Sequence, residues 1–489
     1  MPIIYSARWM LPIISSPITN GAIAIDGSQI IAVGPKAEVV ARCFDAETLD
    51  FGEAAILPGF VNAHSHLELT VMRGFLEDVA PDFFGWLRRL TRTRLAMNDD
   101  DLRVSATCGA IEAARAGITC VGDSSSVAVQ TMKALGGVGL RGVVYQESFG
   151  PDPKLVTENV AKLRDQVAAA RGFENGLVRA GVSPHAPYTV GAPQLEMISR
   201  MAIDGKLPLM VHAAESEAEK LLLLEGRGPF SEGLRKRGIE WSAPGISSVA
   251  YLAQHGILGT KPLLAHCINV DDADLEVIKN SGAGIAHCPK SNAKLGHGRA
   301  PFAKFISNGI NVGLGSDSVA SNNTCDVLEE ARFATLLARL PADGTPAVRG
   351  GLPLATASPA FRGGLLPATA SDTDRPLHDS SSHVISAEQA LFAATLGGAR
   401  ALGLDNQIGA LAEGMQADIT IVRLNGPHQR PVHNPVDTLI FSSSGRDVAL
   451  TMVAGKEIYR DGRVMDGDEL ELHDRLAAIR SKLESAVLS

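Results

Sequence analysis

The sequence predicts an α/β protein: a (β/α)8 TIM barrel with a small composite β-sandwich domain assembled from both chain ends. Three observations predict it. Between about residues 58 and 400, short apolar stretches alternate with helix-length amphipathic segments, the pattern of a parallel sheet with crossover helices. Eight such stretches can be placed, and most close on a polar residue or a histidine, as expected where an enzyme draws its reactive groups from several barrel strands. The flanks, residues 1–57 and 404–489, lack this alternation and read as β-rich. A doubly wound open sheet shares the alternation but would not gather so many polar strand ends in one place.

Taken in order, the first flank holds Gly21 to Ile25, a turn at Asp26-Gly27, and Gln29 to Val33. The eight barrel strands are expected at Gly59 to Ala63, Ile118 to Gly122, Gly142 to Gln146, Val178 to Val182, Pro208 to Ala213, Pro262 to Ala265, Ala283 to Ala286 and Asn311 to Gly315. Apolar residues recur every three or four positions in Leu102 to Ala116, Leu155 to Ala170, Gln194 to Ala202 and Asp274 to Lys279, which predicts helices there. Asp326 to Leu340 reads as another helix. After it, residues 341–383 turn rich in Pro, Gly, Ala, Ser and Thr, and the stretch from Ala347 to Ser358 is nearly repeated 13 residues on. Repetition without periodicity favours a disordered surface insertion over a lid. Ser386 is the expected N-cap of a helix running to about Leu402. The last flank carries strands at Ala417 to Val422 and Val448 to Val453, then a terminal helix from about Glu471 to Leu488.

With 489 residues, 45% hydrophobic and only 20% charged, there is material for one large core plus an attached domain. A net charge of −9, with no cluster of Lys and Arg, argues against nucleic acid or an anionic membrane surface as a partner. The six cysteines are scattered with no Cys-x-x-Cys pair, so reduced, buried thiols are expected. No apolar run reaches the ~18 residues of a membrane span, and no signal sequence opens the chain. A cytoplasmic enzyme acting on a small molecule is the expectation, with a homodimer left open.

The first strand ends Asn62-Ala63-His64-Ser65-His66, and residues i and i+2 of a strand share a face, so the two imidazoles can converge on one ion. The fifth strand ends at His212 with Glu215 three residues beyond, the sixth at His266, and the eighth in Gly315-Ser316-Asp317. His64, His66, His212 and Asp317 offer three nitrogens and one carboxylate oxygen, the donor set of a catalytic zinc or ferrous ion with a position open for water.

These motifs, with Ser183-Pro184-His185-Ala186-Pro187-Tyr188, Ala265-His266-Cys267 and His287-Cys288-Pro289-Lys290-Ser291-Asn292, resemble the amidohydrolase superfamily over nearly the whole chain, specifically its mononuclear-metal deaminase and chlorohydrolase branch. Dinuclear relatives bridge two metals with a carboxylated lysine on the fourth strand. That strand here ends in Ser183-Pro184-His185, so the resemblance implies one divalent ion per chain, Zn²⁺ with Fe²⁺ as the alternative. It further implies that the ion lowers the pKa of a bound water to about 7. Asp317 would accept the water proton, Glu215 would protonate the ring nitrogen beside the attacked carbon, and His266 would orient the hydroxide. His185, Glu68, Arg73, Trp86 and Ser291 are expected at the substrate; for Arg73 the competing reading is an ordinary ion pair.

Two local stretches, His64 to Leu69 with Met72-Arg73-Gly74 and Phe84 to Leu87, and Gly226 to Phe230 leading to Ser247 to Leu252, resemble deaminases of 6-amino-6-deoxyfutalosine in menaquinone biosynthesis. Deaminases of S-adenosylhomocysteine, methylthioadenosine or guanine and triazine chlorohydrolases are the alternatives. A non-catalytic barrel used as an interaction module is the alternative of another class, disfavoured because all four ligands, Glu215 and His266 are present.

Overall fold

The computed structural model describes residues 1–79, 82–340, 384–465 and 469–488. The repeat-bearing insertion expected at 341–383 lies outside the described residues.

Eight parallel strands carry the site. Phe60–Ser65, Ile118–Ser125, Arg141–Ser148 and Val178–Pro184 form one four-stranded sheet in that order, and Met210–Ala213, Leu263–His266, Gly284–His287 and Asn311–Leu314 form another. Hydrogen bonds join the sheets at both outer edges. At one seam the Asp317 amide donates to the His64 carbonyl (2.9 Å); at the other, the Val182 amide donates to Pro208 O (2.9 Å) and the His212 amide to His185 O (2.8 Å). Successive side chains go to opposite faces, as the two-residue strand period requires. Val143 and Tyr145 pack with Val61, Cys120, Met210 and Ala265, while Val144 joins the larger cluster shared with the helices.

Each strand placed from the sequence is present, most of them reaching one to three residues further at the carboxyl end, where the polar residues lie. The helices expected from the sequence between and just after these strands are found at Asp99–Arg115, Val156–Arg171, Ala192–Gly205, Asp272–Ser281 and Val327–Ala338. Ser386 caps the next one: its hydroxyl accepts from the Gln389 amide (3.2 Å) and Gln389 answers with its own side chain. The single helix expected from there to Leu402 is instead broken by a π turn at Ala393–Gly397. Small residues at this turn let it press against the strands; a Cβ on Gly398 would lie 2.8 Å from Val61 Cβ.

Both chain ends do meet, in one hydrogen-bonded sheet. Strands from Ile3–Met10 to Ala54–Pro58 and from Ile419–Arg423 to Arg463–Val464 make a single nine-stranded mixed sheet, joined where Ala54–Pro58 pairs antiparallel with Ile419–Arg423. That sheet is bound to the parallel strands by a buried ion pair. Arg141, which opens the third strand, donates Nε and Nη2 to the two carboxylate oxygens of Asp418 at 2.9 and 3.0 Å. The terminal helix Glu469–Leu488 lays Ile479 and Leu483 against Trp86, Met97 and Leu102, beside helix Phe83–Leu95. No helix among the described residues is long and apolar enough to cross a membrane.

Candidate metal centre and active-site cavity

The carboxyl ends of the parallel strands converge on one point. Asp317 Oδ1 lies 3.4 Å from His64 Nε2 and 3.6 Å from His66 Nε2, and the Nε2 atoms of His66 and His212 are 3.4 Å apart. Two bonds of about 2.0–2.1 Å at a tetrahedral angle put their donor atoms about 3.3 Å apart, so this spacing is that of ligands around one ion. Both ring nitrogens of His64 are buried without a hydrogen-bond partner. His212 donates Nδ1–H to the His185 carbonyl (2.8 Å), which leaves the lone pair of Nε2 facing the cluster. Burial depresses the pKa of His64 to about 4 and pushes that of His212 well down, so both rings are neutral, the form that coordinates metal. Burial alone would raise the Asp317 carboxyl, but the imidazoles of His64, His266 and His66 set against it hold it well below the usual carboxylate range. The residues present therefore fit one divalent cation.

Local backbone geometry supports this convergence. Gly315 is where it is because a Cβ there would fall 2.9 Å from His64 Cβ and 2.9 Å from Cys288 Sγ. Asn62 ties the first strand to the eighth, accepting from the Ser316 amide (2.9 Å) and donating to its hydroxyl (2.7 Å).

Glu215 is buried and accepts from the Tyr188 hydroxyl at 3.1 Å. His266 Nε2 stands 3.7 Å from its carboxylate, while His266 Nδ1 is held by Asn292 Oδ1 at 2.9 Å. Burial opposes a charged His266, yet Glu215 and Asp317 together raise its pKa. These groups line the floor of a cavity of about 640 Å³ whose walls include Phe83, Trp86, Leu87 and Leu90.

Of the residues expected at the substrate, His185, Glu68 and Trp86 line this cavity. The Glu68 carboxylate is already taken by the hydroxyls of Ser125 and Ser126, with Arg94 Nε 3.5 Å away. Two expectations are corrected. Arg73 points elsewhere and pairs with Glu112, also donating to Asn323 O (2.7 Å), because the short helix Leu67–Met72 turns it away from the strand ends. Ser291 is wholly buried behind Asp317 and donates to its Oδ2 at 2.5 Å, so it orients a ligand instead of meeting substrate.

Three site residues escaped the sequence reading. Glu147 lies next to the end of the third strand and lines the cavity, a position the strand-end rule applied to that strand would have found. Glu219 accepts from the amides of Ala214 and Glu215, both at 2.9 Å, and so holds the turn that carries Glu215. His297 Nε2 lies 3.7 Å from Glu215, brought there by a loop with no periodic signal.

The chain belongs to the amidohydrolase family, whose pattern matches residues 55–360 and 368–458. It is accordingly a hydrolase of carbon–nitrogen bonds. Among similar proteins, a 5-methylthioadenosine/S-adenosylhomocysteine deaminase of Syntrophobacter fumaroxidans is 30% identical over 94% of this chain and 92% of its own. An enzyme of the same name from Halobacterium salinarum is 30% identical over 95% and 94%. Among solved structures, a zinc-bound adenosine deaminase of Xanthomonas campestris superposes with a TM-score of 0.79 at 24% identity, covering 99% of this chain and 98% of its own. An atrazine chlorohydrolase of Arthrobacter aurescens, solved with zinc, follows at 0.76 and 23%, over 98% and 100%. These two share the fold.

Proposed function

We propose that the chain is a hydrolytic deaminase of a 6-aminopurine nucleoside carrying a 5′ substituent, with S-adenosylhomocysteine and 5-methylthioadenosine as the first substrates to test. The observation that carries this is the pairing of a metal-fitting cluster with Glu215, a buried carboxyl aimed into the same cavity by Tyr188. Relatives of nearly equal length named for these substrates support the choice. Aminodeoxyfutalosine, which local motifs around His64 to Leu87 suggest, shares the 6-aminopurine ring and belongs in the same assay; none of the relatives reported above carries that name.

Zinc suits three imidazoles and a carboxylate, as does ferrous iron, and the zinc in the two solved relatives favours the former. When bound, the ion supplies Lewis-acid activation of water. Asp317, kept ionised, accepts a proton at its carboxylate. Glu215 donates one to the ring nitrogen beside the attacked carbon, and its position between Tyr188 and His266 fixes the direction. His266 orients the attacking oxygen through Nε2. Trp86, Phe83, Leu87 and Leu90 exclude water and pack against the ring system. Lys162 and Arg237 also line the cavity and supply positive charge toward the carboxylate of a zwitterionic 5′ substituent such as the homocysteine of S-adenosylhomocysteine. We also read the two four-stranded sheets as halves of one (β/α)8 barrel, supported by the hydrogen bonds at both seams.

The test is ammonia release from adenosine, 5-methylthioadenosine, S-adenosylhomocysteine, aminodeoxyfutalosine and guanine, with metal content measured on the same sample. The expected result is about one ion per chain and turnover of substituted adenosines. Ammonia from guanine alone, or from none of the five, would sink the reading.

A further inference from the structure

Glu147 is the penultimate residue of the third parallel strand and is used by no step described above. Its side chain is buried, it lines the cavity, and its Oε1 has no hydrogen-bond partner. The contrast with Glu68 is sharp: that carboxylate, in the same cavity wall, is filled by two serine hydroxyls and flanked by Arg94. A buried acceptor left without a donor is unfavourable, and this one belongs to a residue that lines the cavity a substrate would occupy. One donor atom each from His66, Glu147 and His212 lie within 4.8 Å of one another, so Glu147 stands beside the metal-fitting cluster. A second ion at that point would need the same His66 and His212 nitrogens already directed at the first.

We propose that Glu147 selects the leaving group: its carboxyl, at the cavity wall beside the metal-fitting cluster, accepts a hydrogen bond from the exocyclic amine at the carbon under attack. The inference rests on the deaminase reading and deepens it. Along the base edge of a 6-aminopurine, N1, N3 and N7 are acceptors, and the amine is the one group that donates. Hydrolysis adds the water oxygen to C6 and breaks the C6–N bond; the nitrogen leaves as ammonia, and the product has a carbonyl at C6 and a proton on N1. Nitrogen bears hydrogen throughout, so an acceptor at Glu147 serves substrate and departing ammonia alike. Chloride in the same place bears none, and its lone pairs would face the carboxylate. Glu147 thus favours deamination over dehalogenation by attraction to one leaving group and repulsion of the other.

The experiment measures kcat/KM for ammonia release from adenosine and chloride release from 6-chloropurine riboside, with metal content, on the metal-loaded wild type and on Glu147→Gln and Glu147→Ala. Loss of this hydrogen bond should lower ammonia release about tenfold while chloride release stays within about threefold or rises. Metal content should be unchanged, and Glu147→Ala should shift the amine-to-chloride ratio in the same direction should the glutamine variant fold poorly. Equal losses on both substrates, no change in the ratio, or loss of metal would each overturn the proposal while leaving the deaminase reading intact. A wild type that releases no ammonia from any 6-aminopurine nucleoside would overturn both, and wild-type activity tells the two failures apart.

Discussion

Asp317 shows what a single residue is asked to do at this site. It sits at φ 56°, in the left-handed region that L side chains seldom adopt, and Ala214, His266 and Cys267 at neighbouring strand ends do the same. Such backbone costs about 1–3 kcal/mol per residue and persists only where surrounding contacts over-determine it. Here those contacts are the seam hydrogen bond from the Asp317 amide and the grip of Glu219 on Ala214. Proton transfer and metal binding are separable at this scale. Glu215 lies three residues past His212 and does not join the ligand spacing, so Glu215→Gln should keep its metal while kcat falls by about 10² to 10⁴-fold. His212→Ala should lose metal and activity together. Metal analysis and turnover on both variants check this; a Glu215→Gln protein that has lost its ion, or kept most of its rate, refutes the role.

At the scale of elements, helix Val327–Ala338 acts as a prop for the eighth-strand turn. Its Glu330, wholly buried, accepts from Asn322 Nδ2 (2.6 Å) and the Lys290 amide (3.2 Å), and Asn322 in turn holds Ser316 O (2.5 Å). Burial raises the Glu330 carboxyl from 4.5 to about 8, against the partial pull of Lys290 and Asn322. Below pH 4.5 the folded and unfolded chains both hold this proton. Between 4.5 and about 8 the unfolded chain releases it while the folded one keeps it, so stability from this group falls as pH rises and levels off above about 8. Glu330→Gln removes the titration. Urea unfolding midpoints across pH 4 to about 9 should therefore show wild type losing ground to the variant through that window; parallel curves would contradict the assignment.

For the whole molecule, the sheet built from the chain ends is secured to the parallel strands by Arg141 and Asp418. Their side chains are 4% and 1% exposed, and the Ala454 amide adds a third hydrogen bond to Asp418 at 2.9 Å. Thr420 and Thr451 add hydroxyl bonds to Gly117 O and Ala114 O at the same junction. Removing the guanidinium strands a buried carboxylate, so Arg141→Ala should destabilise by about 3–5 kcal/mol, whereas replacing both partners by apolar residues should recover much of that loss. Thermal melts of Arg141→Ala and of the Arg141→Met/Asp418→Leu double variant decide it. A single variant that melts with wild type would show the two parts to be held by other contacts.

The alternation of apolar strands and amphipathic helices, and the reactive residues ending those strands, were legible because each depends on local period and on the chain's own order. His64, His66, His212, His266 and Asp317 could thus be named before any distance was known, and the capping box at Ser386 and Gln389 likewise. Where a side chain points once its strand ends depends on what packs beside it, and spacing carries no record of that. Arg73 was drawn to Glu112, Ser291 was placed behind Asp317 instead of in front, and His297 was carried to Glu215 by an irregular loop. The joining of both chain ends into one nine-stranded ladder belongs to the same class, since strand pairing between residues hundreds apart is set by packing and leaves no local trace. Glu147 falls between the two: its place at a strand end was readable, but its unpartnered oxygen could be found only once its neighbours were in position.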